Sequence, residues 1–371
     1  ARRRSSWTGT ATTSPEPPAP LPPTATSYSY SPQTPKLGSA KGYKRPRLGE
    51  LGLLSMIRGV ALVTGGAGFI GSHLAETLAS IDGIEAVVVI DDLSSGSFSN
   101  LEACRRTGKL VFIRGDVRDE NLVRKALEEY GVEYVFHHAA KVSVPSSIED
   151  PLTTESVNVG GSLAVLKAAM HSDVKRLILA SSCVIYGEAS NFPIGEEEPP
   201  RPKSPYGVSK LASEAYWMLA HELYGLKTVA LRYFNVYGPR QRMDKYGGVI
   251  SLFVYRALRG LPPVIYGDGK QTRDFIHVRD VVRANLLAAS RNRVIGEVIN
   301  IASGHEISIN ELAMLVLSLT GLENLRPKYG SPQPGDIRRS WADISKAREL
   351  LGFEPQISLE EGIKELMANG L

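Results

Sequence analysis

The run Val60-Ala61-Leu62-Val63-Thr64-Gly65-Gly66-Ala67-Gly68-Phe69-Ile70-Gly71 constrains this chain more than any other stretch. Four apolar residues suited to a buried parallel strand pass directly into glycines at 65, 68 and 71. An amphipathic segment, Ser72-His73-Leu74-Ala75-Glu76-Thr77-Leu78, comes next at helical spacing. In that strand–turn–helix setting the glycines permit a tight turn. They also let backbone N–H groups approach a pyrophosphate at the positive end of a helix. Taken alone, such a turn can equally join two packed elements, so its meaning depends on the rest of the chain.

Downstream, the same alternation recurs. Apolar strands are predicted at Glu85–Ile90, Leu110–Arg114, Tyr134–Ala139, Arg176–Ser181 and Thr228–Tyr233, with helices at Glu120–Tyr130, Thr153–Met170 and Ser204–Tyr224. Strands apolar throughout, alternating with helices, predict an α/β fold of Rossmann type: a doubly wound parallel sheet whose ligands bind beyond the strands' carboxyl ends. After Asn235 the pattern loosens into Gly/Pro-rich loops, although helix Arg279–Ser290 and strand Glu297–Ile301 return to the earlier style. The expected division is residues 56–235 plus 274–305 for a dinucleotide-binding domain, and 236–273 plus 306–371 for a smaller α/β substrate domain.

The chain has 371 residues, 43% hydrophobic and 22% charged, enough for one extended domain or two intimate ones. No apolar run approaches membrane-spanning length, so no membrane partner is expected. Cys104 and Cys183 cannot build a disulfide framework or a CxxC metal site, which points to a reducing, cytoplasmic setting. The net charge of +4 misleads: residues 1–55 carry eight Lys/Arg against two Asp/Glu, and the remainder 35 against 37. The folded part is not basic, and no nucleic-acid partner is expected.

Residues 1–55 hold nine of the 23 prolines and lack hydrophobic periodicity. They cannot bury enough surface to offset ordering entropy. Three readings apply: a disordered or non-native leader with Met56 as the functional start, a transit peptide, or a basic arm around Lys36–Arg47. The first is adopted.

The chemistry-bearing residues fall at strand ends. Asp91, 20 residues after Gly71, closes the second strand; a carboxylate there accepts from both ribose hydroxyls and repels a 2′-phosphate, favouring NAD over NADP. Asp116 and Val117, after the third strand, are placed at an adenine edge, with a turn-forming role for Asp116 as the alternative. Tyr206-Gly207-Val208-Ser209-Lys210 puts a phenol and an ammonium on one helix face. A phenol near pKa 10 is a poor base at neutral pH, and a neighbouring cation favours its phenolate. Ser182, at the end of a strand, can bind the same substrate oxygen as Tyr206. His137-His138 invites a metal reading, but adjacent strand residues point to opposite faces and no companion ligands stand nearby. No metal is expected; the pair is placed at the sheet end near the cofactor.

With glycine fingerprint, acidic ribose residue, strand-end serine and YxxxK in this order, the chain resembles the extended short-chain dehydrogenase/reductases. More narrowly, from about Met56 to Ala368 it resembles the NAD-dependent sugar-nucleotide epimerase/dehydratase group. That resemblance implies NAD held by Gly65, Gly68, Phe69, Ile70, Gly71, Asp91, Asp116, Val117, Ala139, Ala140, Tyr206, Lys210 and Phe234. It implies catalysis by Tyr206, Lys210 and Ser182. It further implies a UDP-sugar held by Ser182, Tyr206, Asn235, Tyr266, Arg273, Asp336 and Ser340, with Asn235 and Arg273 on the diphosphate, Tyr266 at the base and Asp336 near the ribose. Gln333 stands where related epimerases often carry arginine, which leaves open whether Arg338 supplies that contact. The resemblance also implies a homodimer formed through the two long helices.

Members of the group begin by oxidising the sugar C4 hydroxyl. The family's 4,6-dehydratases place Asp-Glu directly after the strand-end hydroxyl residue; the corresponding residues are Cys183 and Val184, which cannot protonate a leaving hydroxyl. The expectation is therefore a UDP-hexose 4-epimerase, working through a transient 4-keto sugar and bound NADH. Ser340, small where some members carry tyrosine, leaves room for 2-acetamido sugars. Alternatives are another NAD-dependent dehydratase or decarboxylase, and a non-catalytic NAD-binding or RNA-associated member of the fold. Cys183 is read as a packed strand-end thiol.

Overall fold

Alternation along the first strand decides the layering. In β1 (Gly59–Thr64), Ala61 and Val63 enter one apolar core while Leu62 enters another. In β2 (Ile84–Asp91), Val87 and Val89 face the first core, Val88 and Ile90 the second. A strand buried on both faces needs apolar residues at every position, which explains the unbroken runs in the sequence. The computed structural model describes residues 57–242, 247–333 and 335–368; the 1–55 leader and Met56 lie outside the described residues.

From β1 the chain turns into α1 (Phe69–Ala79), returns through β2 and β3 (Leu110–Arg114), and passes α2 (Glu120–Glu129) to β4 (Val132–His137). Helix α3 (Pro151–Glu155) runs through a π turn, Ser156–Gly160, into α4 (Gly161–Ala169). Then come β5 (Arg176–Ser182), α5 (Pro205–Tyr224), β6 (Thr228–Tyr233) and β7 (Asn235–Tyr237). These are followed by α6 (Val249–Ala257), β8 (Val264–Tyr266), β9 (Thr272–His277), α7 (Val278–Ser290) and β10 (Val298–Ile301). Towards the carboxyl end lie β11 (Glu306–Ser308), α8 (Ile309–Leu319), β12 (Lys328–Gly330) and α9 (Leu359–Ala368).

Seven strands form the main sheet in the order β10-β6-β5-β4-β1-β2-β3, every pair parallel. This is the doubly wound sheet the alternation predicts. The winding reverses between β1 and β4, and that opens a crevice at their carboxyl ends. Leu74 and Leu78 of α1 and Val281, Ala284 and Leu287 of α7 fill one side of the sheet. Val123 and Leu127 of α2, Val165 and Leu166 of α4 and Trp217 of α5 fill the other. A third core joins Tyr237, Ile250, Phe253, Phe275, Leu312 and Ile363 around the small sheet β11-β9-β7; the pair β12-β8 lies alongside.

Two local differences from the sequence reading have physical causes. Strand β4 ends at His137 rather than Ala139: the His138 N–H donates to the Thr64 carbonyl and the chain then leaves the sheet. The expected helix 153–170 is not uniform, because Ser156–Gly160 widens to a π turn. Asn158, buried in that turn, accepts from the Lys141 N–H at 2.7 Å and donates to the Lys141 carbonyl at 3.0 Å. It also donates to Ser209 Oγ at 2.8 Å. The wide turn thereby satisfies backbone groups of the loop after β4 that no strand partners.

Candidate functional site

At the crevice lies a cavity of about 580 Å3, within the range of cofactor and ligand sites. Its floor is the turn after β1. Gly65 adopts φ +68°, and a Cβ there would come within 2.7 Å of the Ala139 nitrogen. A Cβ on Gly71 would lie 2.3 Å from the Gly65 carbonyl oxygen. Gly68 caps α1 without any side-chain hydrogen bond, and no acidic residue occupies the first turn. The first-turn N–H groups are therefore left for an anion, and the helix dipole favours one.

Beside this cradle, the Asp91 carboxylate accepts from the Ala67 N–H at 2.9 Å and the Leu93 N–H at 2.8 Å. Burial raises its pKa, and the two backbone donors oppose that rise. Asp92 instead closes a turn, accepting from the Ser94 N–H at 2.8 Å. Asp116 and Val117 line the same end of the cavity, with Asp116 paired to Arg118 at 2.5 Å. That pairing holds the Asp116 carboxyl below its ordinary range. Phe69, Ile70, Ala139, Ala140 and Phe234 complete this half. Bare backbone, an uncapped helix start and a carboxylate at the second strand's end together fit a dinucleotide lacking a 2′-phosphate.

Midway along the cavity stand Ser182, Tyr206 and Lys210. Ser204 caps α5 by accepting from the Gly207 N–H at 3.1 Å, and Pro205 sits at the first helical position. This fixed start places Tyr206 on the first turn, where it lines the cavity with Ser182. Burial pushes the Tyr206 phenol up to about 12, opposed by the neighbouring Ser182 hydroxyl. Lys210 is buried, donates from Nζ to the Ala180 carbonyl at 2.7 Å, and is pushed down to about 8 by desolvation. The ammonium is turned to a carbonyl of β5, and burial dominates the phenol.

The far half carries Asn235, Tyr266, Arg273 and Asp336. Asn235 donates from Nδ2 to the Asp274 carbonyl at 2.9 Å. Arg273 donates to the Thr272 carbonyl at 2.6 Å and forms an ion pair with Asp336. Tyr266 is 47% exposed at the rim. Gln333 lines the cavity, whereas both terminal guanidinium nitrogens of Arg338 are held by Asp268 at 2.8 and 3.2 Å; Arg338 does not take over a cavity contact.

Two expectations require correction, and a third holds. Ser340 is buried, near the Cys183 thiol, and is not among the described residues that line the cavity. Its N–H donates to the Thr272 carbonyl at 3.2 Å, a backbone tie that turns the residue inward. His137 does not face the site: it bonds Thr64 Oγ1 at 2.7 Å and Ser162 Oγ at 3.1 Å and stacks on Trp217. Of the pair only His138 lines the cavity. Burial lowers both imidazoles to about 3, so both are neutral. Cys183, immediately after β5, is the packed strand-end thiol expected, pushed up to about 12 by burial.

Cavity residues that sequence reasoning missed include Lys141, Val157, Tyr233, Gln241 and Gly248. They sit on loops or at irregular turns and element ends, where periodicity carries no signal. Among the described residues no cluster of His, Cys, Asp and Glu could hold a metal ion. None of their helices is long and apolar enough to cross a membrane.

Comparison with known proteins places this geometry. The family model described as GDP-mannose 4,6 dehydratase matches residues 62–366. A UDP-glucose 4-epimerase of Mycolicibacterium smegmatis is 39% identical over 303 residues, covering 81% of this chain and 95% of that protein. A UDP-N-acetyl-alpha-D-glucosaminuronate decarboxylase of Bacillus cytotoxicus is 35% identical over 315 residues, covering 82% and 95%. Among solved structures, UDP-glucose 4-epimerase of Thermotoga maritima with UDP-glucose superposes with TM-score 0.79 at 41% identity, covering 83% of this chain and 97% of that one. UDP-N-acetylglucosamine 4-epimerase of Methanobrevibacter ruminantium, in complex with UDP-N-acetylmuramic acid, gives 0.78 at 39%, covering 84% and 99%. The Thermus thermophilus UDP-glucose 4-epimerase complex with NAD gives 0.75 at 38%, covering 84% and 98%.

Proposed function

The chain belongs to the NAD-dependent epimerase/dehydratase family, and from that premise we propose that it is a UDP-hexose 4-epimerase interconverting UDP-glucose and UDP-galactose. The observation that carries the reading is what surrounds the Tyr206 phenol. It lines the cavity with Ser182 and Lys210, the strand-end residue after Ser182 being the thiol Cys183 and not an acid. The described acids lining the cavity are Asp91, Asp92 and Asp116 at one end and Asp336 at the other. Elimination or decarboxylation chemistry draws on a further acid or base beside the reacting carbon; 4-epimerisation does not.

Bound NAD supplies a reversible hydride acceptor. Tyr206 exchanges the proton of the sugar 4-hydroxyl, and Ser182 orients the same oxygen. Lys210, with one N–H on Ala180, keeps two donors for the cofactor side of the site. Asn235, Arg273 and Asp336 clamp the nucleotide diphosphate and ribose, with Tyr266 at the base. The hexose between these anchors is left free to turn over.

A homodimer fits the surface. Leu152, Leu163 and Met170 on the α3–α4 side, and Val208, Tyr216, Leu219 and Leu223 on α5, are exposed apolar residues. A second copy covering these faces would form a helical bundle.

A coupled assay offering UDP-glucose, UDP-galactose, UDP-GlcNAc and UDP-GalNAc tests the reading. Interconversion within a pair supports it. Release of a 4-keto or decarboxylated product from any nucleotide sugar would replace it with the family's other chemistry.

A further inference from the structure

Glu214 and Arg232 form an ion pair that the epimerase chemistry does not use. Their side chains are 5% and 8% exposed, and Arg232 Nη2 donates to Glu214 Oε1 at 2.6 Å. Glu214 lies one helical turn beyond Lys210 and two beyond Tyr206, so all three follow one stripe of α5. Its carboxylate also accepts from Ser181 Oγ at 2.6 Å and from Arg232 Nε at 3.0 Å. Ser181 directly precedes Ser182, and Arg232 stands opposite Ser181 in the β5–β6 register.

The remaining nitrogen of Arg232 reaches the other way. Nη1 donates to the Tyr186 hydroxyl at 2.8 Å and to the Glu196 carbonyl at 3.0 Å. The Tyr186 hydroxyl donates to Asn300 Oδ1 at 2.7 Å, and the Asn300 amide donates to the Ile194 carbonyl at 2.9 Å. Ile194 in turn bridges to Ala342, two residues past Ser340. One guanidinium therefore joins the helix bearing Tyr206 and Lys210, the strand bearing Ser182 and the segment behind the sugar pocket.

Stability is a weak reason to keep such a pair. Desolvating two charges offsets most of their attraction, and well-packed apolar replacements are often as stable. Registration of reacting groups is a stronger one, since a displacement of about 1 Å can cost on the order of 10²-fold in rate.

We propose that Glu214 and Arg232 are positioning residues that set the Tyr206 hydroxyl and Lys210 against Ser182, through the Ser181 contact and the shared stripe of α5. The inference rests on the reading of Tyr206 as the acid/base group.

The test compares full-length Arg232→Lys and the double variant Glu214→Leu/Arg232→Met with wild type, and runs Tyr206→Phe in parallel. Measured are kcat, KM for UDP-glucose, the pH profile of kcat, retained NAD and the thermal midpoint. Lysine keeps the charge but not the fork, so the expected result for Arg232→Lys is a kcat about 10–100-fold lower. Its KM and retained NAD stay close to wild type, and its pH profile is displaced. The folded double variant is expected to show the same split. A folded double variant or Arg232→Lys with wild-type kcat overturns the proposal. So does a kcat loss that merely tracks loss of NAD and thermal midpoint, which marks a structural role. Unimpaired turnover by Tyr206→Phe would instead remove the acid/base reading itself, so the two failures are told apart.

Discussion

The Lys210 ammonium and the Ala180 carbonyl are joined at 2.7 Å, which ties the middle of the site's helix to the strand beneath it. The tie holds a cation in a desolvated place, and the consequence is a pH-dependent cost. Burial lowers the Lys210 pKa from an ordinary 10.5 to about 8. Above 10.5 neither folded nor unfolded chain is charged at this position. As pH falls from 10.5 towards 8 the unfolded chain takes up the proton first, so stability falls; below 8 the whole cost is present. Relative to Lys210→Met, the thermal midpoint of the cofactor-free protein should therefore rise between pH 8 and 10.5. A difference that is flat across that window would contradict the burial of this group.

Tyr206→Phe removes the proton-exchanging hydroxyl while leaving the ring. A group of this kind contributes about 10²–10⁴-fold, so turnover should fall by that order, with NAD still retained after gel filtration. Steady-state kinetics and the absorbance of the denatured extract check both halves.

Gly71→Ala probes the cradle. The new methyl would meet the Gly65 carbonyl oxygen at 2.3 Å and the Gly66 Cα at 2.9 Å, both backbone atoms that cannot swing aside. Overpacking of this kind costs about 1–3 kcal/mol, and the turn should open enough to lose its anion site. Expected are a lowered urea midpoint and protein purified without dinucleotide; full NAD content would show that the turn tolerates the methyl.

Arg273→Lys keeps a charge but loses the planar fork that spans the Thr272 carbonyl and Asp336. The expected effect is a KM for UDP-glucose raised about tenfold with kcat little changed, the signature of lost uniform binding. A fall in kcat at constant KM would place Arg273 nearer the reacting carbon than the structure does.

Much of this architecture could be read in advance because it rests on local rules. Val60–Val63 and Ala86–Ile90 are apolar at every position, as a doubly covered strand requires, and Gly65, Asp91, Ser182 and Tyr206 all meet one cavity. What stayed illegible depends on tertiary placement. Nothing in Ser156–Gly160 distinguishes a π turn from ordinary helix, since the widening is fixed by Asn158's partners at Lys141 and Ser209. Glu214 and Arg232 are 18 residues apart and on different elements, so no spacing rule pairs them. Ser340 comes after a loop whose backbone ties rotate it inward, a direction that composition does not encode.

That widened turn has a further consequence. It holds one residue more than regular coiling needs, so deleting any single residue from 156–160 would let the helix close up as ordinary α. Where Asn158 is kept it would swing off Lys141 and Ser209, while the helix on either side, having lost only its surplus residue, would stay in phase. The loop after β4 would thereby lose its hold on the helix, so a one-codon loss at this spot is expected to disturb the cavity wall that Lys141 lines.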